Sequence, residues 1–248
     1  MNFKIYIVLI LPFFFSCKKD DAKPPSIAEE HLSITVDPTF GIESFYLDSV
    51  FTTQEGYKVK FTDLKFYVSA LKNGSDTLTK AALFDFSSTG NVLTRLIGDY
   101  NKFSSLQANV GVIPSLNHLD PSAFPNESPL NISNAGTMHW GWNTGYIFIS
   151  IEGKTDTIPD ATLNLNHSFS FHIGTDTFLD NISFSNVNWQ SVSDHEHIFK
   201  LKFDLLSFLQ NQTQQIDLKT EFLSHSGSGQ ESLALKVLQN FKQALTAQ

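Results

Sequence analysis

From His31 onward, apolar and polar residues alternate with a period of two, the pattern of half-buried strands. His31–Asp37 alternates cleanly, and Tyr57–Leu71 predicts a long strand with an internal break. In that segment Tyr57, Val59 and Phe61 share one parity, while Leu64, Phe66, Val68 and Ala70 share the other, which predicts a bulge near Thr62–Asp63. Asn73-Gly74-Ser75-Asp76 reads as a hairpin turn into a return strand over Thr77–Phe86. Further strands are predicted at Ser104–Val112, Gly145–Ile151, Leu163–Ile173, Asn181–Asn188 and His197–Leu209. In Leu163–Ile173 the apolar residues take one face and leave His172 on the opposite, serine-lined face. A helical stripe occurs only late, where Leu233, Val237, Leu238, Phe241 and Leu245 share one face of Glu231–Leu245. Many short strands separated by turn signals predict an all-β fold, an antiparallel β-sandwich with a short C-terminal helix, as one domain over residues 31–248.

Two stretches break the alternation. Pro114–Gly136 carries four prolines and no periodicity, and irregular segments of that length are often functional. It leads into Met138–Gly153, MHWGWNTGYIFISIEG, which holds two of the chain's three tryptophans beside His139. Ahead of the strands, Lys4 followed by the apolar run Ile5–Phe15 and Phe15-Ser16-Cys17 reads as a secretory signal over residues 1–16. Cys17, the only cysteine, stands where a lipoprotein signal needs it, so the expectation is a lipid anchor at Cys17 and a charged, Pro-rich tether over residues 17–30. The expected location is the outer membrane, on its periplasmic or cell-surface side.

Composition narrows the chemistry. Hydrophobic residues make up 41% of the 248, enough for a sizeable core, and 23 of them are phenylalanine. A net charge of −8 with no basic patch argues against a nucleic-acid partner. The chain has no phosphate loop, dinucleotide fingerprint, paired zinc cysteines, haem-attachment motif or nucleophile elbow, and no carboxylate pair spaced for glycosidase work. The expectation, which the family resemblance below carries, is a binding protein and not an enzyme.

Of eight histidines, His139, His172 and His225 fall near element ends, where a sandwich gathers its loops, and are the leading candidate metal ligands. His195 and His197 form an H-x-H pair that projects to one side of a strand, a weaker metal signal. Imidazoles without thiolates suit copper first and zinc second. Trp140 and Trp142 would pack in the core, stack on a sugar or line a metal pocket.

The segment MHWGWNTGYIFISIEG resembles the signature of the MbnP-like copper-binding proteins, a methanobactin-associated family with many bacterial lipoprotein members. TVDPTFG (Thr35–Gly41), EGYKVKFTDLKFYVS (Glu55–Ser69), NVGVIPSLN (Asn109–Asn117), FSFHIGT (Phe169–Thr175), LKFDLLSF (Leu201–Phe208) and the late His225 fit the same resemblance in order. It implies an all-β copper-binding domain acting in copper uptake, scavenging or buffering, with His139, His172 and His225 as ligands. It also implies that Trp140 or Trp142 is a candidate for oxidation to kynurenine by a partner di-haem oxidase. The rival expectation is a surface lipoprotein that binds carbohydrate or protein through exposed Trp140 and Trp142.

Overall fold

The computed structural model describes Met1 and residues 29–141, 144–158 and 163–248. The signal segment, Cys17 and most of the tether lie outside the described residues, as does Trp142. In chain order the strands are β1 (His31–Phe40), β2 (Glu43–Ser44), β3 (Val50–Thr52), β4 (Lys58–Asn73), β5 (Asp76–Asp85), β6 (Val92–Ile97), β7 (Leu106–Val110) and β8 (His139–Gly141). They continue as β9 (Gly145–Asp156), β10 (His167–Gly174), β11 (Asp180–Phe184), β12 (Gln190–Ser193), β13 (Glu196–Asp204), β14 (Leu223–Ser224) and β15 (Leu245–Ala247).

The strands form two sheets. One has six strands in the order β12-β13-β1-β2, with β6 also on β1 and β15 on β13. The other has nine, β11-β7-β4-β9-β10-β14, with β3 and β5 on β4 and β8 on β9. The all-β expectation holds, but the sheets are mixed: β1 runs parallel to β13, and β10 parallel to β14. Alternation reports which face a residue takes and is blind to strand direction, so the purely antiparallel reading is corrected here.

Inward-facing residues of both sheets share one core, which Phe66 of β4 and Phe203 of β13 help bridge. Both rings lie 4.9 Å from Phe241 of the terminal helix Glu231–Ala244, whose apolar stripe closes the core. The phase shift in β4 is a register irregularity against β9 between Phe61 and Asp63, where the alternation placed it. The turn between β4 and β5 also falls at Asn73–Asp76. The His197–Leu209 strand stops earlier than its alternation suggests. Asp204 accepts hydrogen bonds from the backbone N–H groups of Leu206 and Ser207, caps the one-turn helix Leu205–Leu209 and ends β13.

Pro114–Gly136 contains three single-turn helices and covers part of the outer face of the nine-stranded sheet. Its Leu130 and Ala135 join Met138, Tyr67, Tyr146 and Phe148 in a second, smaller core. Tyr67 donates to the Pro129 carbonyl at 2.8 Å and Tyr146 to that of Leu130. Burial pushes the Tyr146 hydroxyl up to about 12, so it stays protonated as a donor. Further along β9, the outer face passes from Tyr146 and Phe148 to Ser150 and Glu152, and the polar site lies there.

Candidate metal centre

β10 runs antiparallel to β9, pairing Ser170 with Glu152 and His172 with Ser150. All four side chains therefore project from the outer face, as the serine-lined face of His172 in the sequence suggests. Glu152 lies diagonally across from His172 and accepts from its Nε2 at 2.6 Å, with Ser170 Oγ 3.3 Å from the same nitrogen. β14 then lies parallel to β10, pairing Phe171 with Ser224. That places His225 beside His172, their rings stacked with centroids 4.8 Å apart and planes 15° apart.

The loop is fixed from several directions. Gln230 Oε1 accepts from the His225 N–H at 2.7 Å. Ser226 Oγ accepts from the Gly174 N–H at 3.1 Å and donates to the His172 carbonyl at 3.3 Å. Removal from solvent, then the neighbouring His172, holds the His225 imidazole below the ordinary histidine value, while Glu152 opposes the shift. A neutral imidazole is the form that a metal ion needs.

Trp140 reaches the same neighbourhood from β8. Its ring covers Gly174, so close that a Cβ there would fall 2.6 Å from Trp140 Cζ3 and 2.8 Å from the Tyr146 carbonyl oxygen. Glycine at 174 is what allows the indole to lie down on the end of β10. Trp140 is half-buried against the smaller core and does not form an open aromatic platform.

His139 contacts a different set of residues. Its ring stands edge-on to Tyr146 at 4.8 Å and lines a cavity of about 160 Å³ with Asp120, Pro121, Ser122 and Ile132. Its Nε2 is buried without a hydrogen-bond partner among the described residues, and burial lowers its proton affinity. The structure thus brings His172 and His225 together and gives His139 its own pocket. The weaker candidates His195 and His197 lie on the six-stranded sheet, at the β12–β13 hairpin. Among the described residues, no three His, Cys, Asp or Glu side chains are already arranged around a point that would hold an ion.

A family model described as MbnP matches residues 29–228, well over half of the chain. The chain belongs to the MbnP family. The matched stretch contains β1 through β14 and His139, Trp140, Glu152, His172 and His225. A solved structure, MbnP from Methylosinus trichosporium, is similar at 14% identity and a TM-score of 0.46, covering 74% of this chain and 78% of that one. None of the curated proteins compared with the chain matches it.

Within this MbnP-family chain, sequence reasoning missed Glu152. Its signal was available, because a carboxylate ends the same segment that holds the tryptophans. The pairing register that puts it beside His172 was not readable. The Asn117–Asp176–His118 network was missed as well. Asn117 Nδ2 donates to Asp176 Oδ1 at 2.8 Å, and His118 Nε2 lies 2.9 Å from Asp176 Oδ2. Burial alone would raise the Asp176 carboxyl, but the hydrogen bonds from His118 and then Asn117, with the nearby His118 charge, together hold it below its ordinary value.

Proposed function

We propose that this chain binds copper outside the cytoplasm, held to a membrane by lipid on Cys17, and acts in copper uptake, scavenging or buffering rather than catalysis. The observation that carries the reading is the stacked pair His172–His225, with Glu152 against one ring and Trp140 over the adjacent Gly174. Membership of the MbnP family supports it. The donors fit: two imidazoles, one of them held toward its neutral form, and no thiolate suit a borderline divalent ion, and copper leads the affinity order for such ligands. His172 and His225 would hold the ion, and Glu152 would orient His172 as an outer partner. His139 stands in its own pocket, with no hydrogen-bond partner for its Nε2 among the described residues, and would have to reach the ion from there. Oxidation of Trp140 or Trp142 by a di-haem partner belongs to the same proposal, and intact mass measurement reads it directly.

Copper analysis after loading and gel filtration tests the site. The wild type should retain one equivalent, and the His172→Ala/His225→Ala protein should lose it, with affinity down by roughly two orders of magnitude. Retention of copper by the double variant removes the site. His139→Ala in parallel decides whether that imidazole is a ligand.

Imidazoles ligate only when neutral, so binding should weaken as pH falls. Because His225 resists protonation, the loss should set in below about pH 6.5, the ordinary histidine range. A copper competition titration between pH 7.5 and 5 checks this expectation, and a midpoint at or above the ordinary value contradicts it.

A further inference from the structure

We infer that Glu30, His195 and His197 form a second, independent site for a borderline divalent ion of the zinc type. Glu30 immediately precedes β1, and the other two residues lie more than 160 positions later. The parallel pairing of β1 with β13, extended by the His31 N–H donating to the His195 carbonyl at 2.8 Å, brings them together. Each Glu30 oxygen meets one ring: Oε1 lies 3.2 Å from His195 Nδ1, and Oε2 lies 2.8 Å from His197 Nε2. Each ring therefore sits at hydrogen-bond distance from its own carboxylate oxygen, and the three side chains are gathered without yet converging on one point.

The surroundings hold the three side chains in place and leave one of them open to solvent. His197 is buried, and its ring packs against Tyr100 with centroids 3.9 Å apart, so its orientation is fixed. Its Nδ1 lies 3.1 Å from Ser191 Oγ. Its Nε2–H donates to the charged Glu30 carboxylate, so Nδ1 accepts from the Ser191 hydroxyl, and the ring is held from both ends in the way outer partners hold metal-bound histidines. The two imidazoles, His195 first, hold the Glu30 carboxyl below the usual carboxylate range, in the charged form that an ion requires. His195 is about half exposed, with 52% of its side chain accessible, which gives an ion a way in from solvent.

As described, the ring nitrogens point at the carboxylate oxygens and not at a shared empty point. Metal capture would replace the N–H protons between them. Two imidazoles and one carboxylate leave a coordination position for water, and the ion would clamp the residues ahead of β1 onto the β12–β13 hairpin.

Calorimetric titration of the full chain with zinc alone tests this assignment. The variants are Glu30→Gln and His195→Gln, both at accessible side chains, with circular dichroism confirming that they fold. One zinc equivalent should persist in His172→Ala/His225→Ala, which separates this site from the copper proposal. Glu30→Gln and His195→Gln should each weaken it by roughly tenfold or more. Zinc should also slow hydrogen exchange at residues 30–31 in the wild type. Equal zinc affinity in the wild type and Glu30→Gln, or no zinc-dependent protection at residues 30–31, overturns the assignment.

Discussion

Gly153→Val is expected to leave almost no folded protein. Gly153 lies on β9 opposite Phe61 of β4 on one side and Phe169 of β10 on the other. Those rings meet across the glycine, edge to face, with centroids 5.5 Å apart. A Cβ at 153 would fall 2.2 Å from the Lys60 carbonyl oxygen and 2.4 Å from Phe169 Cζ. The first is backbone in the middle of a ladder and cannot swing away, and the second is fully buried. Relief requires parting β4 from β9 or expelling Phe169 from the core. Either costs about 3–5 kcal/mol or more, a large part of the 5–15 kcal/mol that holds a typical domain together. Soluble yield and urea denaturation measure it. Gly153→Ala already carries the same first carbon, so an alanine variant with the wild-type midpoint would contradict the packing described.

The second large effect is expected at Asn117. This side chain is wholly buried and works at both ends: its Oδ1 accepts from the Tyr146 N–H at 2.8 Å, and its Nδ2 donates to Asp176. Asn117→Ala leaves the Tyr146 amide, at the foot of the β8–β9 hairpin, buried without a partner. Stranding such a group costs about 1–3 kcal/mol, and the lost bond to a carboxylate adds to it. The variant should therefore unfold about 2–3 kcal/mol more easily. Its hairpin, which carries His139 and Trp140, should show faster hydrogen exchange at Tyr146. A protein with wild-type exchange at that amide would mean that the hairpin does not depend on Asn117.

What could be read from the sequence followed from period and turn chemistry. The phase break in Tyr57–Leu71, the Asn73–Asp76 turn, the apolar face of Phe169, Phe171 and Ile173 and the helix from Glu231 are local properties, and the fold keeps them. The short strands β2, β3, β6, β8, β12, β14 and β15 were not read, because most have too few residues to display a period and their pairing depends on distant partners. The meeting of His172 with His225 rested on their places near element ends and on the family resemblance. Glu152 and Glu30 could not be found that way, since each reaches its histidine through a strand register that no local pattern encodes. His139 shows the limit from the other side. Adjacent residues on a strand face opposite ways, so sequence proximity to Trp140 does not make the two share a pocket.

The parallel contact between β1 and β13 has a consequence for how the chain acquires its shape. β1, the first of the described strands to leave the synthetic or export machinery, finds its central neighbour only after about three-quarters of the remaining chain has followed, since His31 pairs with Glu196. Until then, among the described strands, β1 has only β2 and β6 to lie against, and the six-stranded sheet lacks its middle. Closing so long a loop is slow, and exposed strand edges invite association meanwhile. Maturation should therefore be a late, all-at-once event, and truncation anywhere before Asp204 should yield an aggregating fragment, not a smaller stable domain.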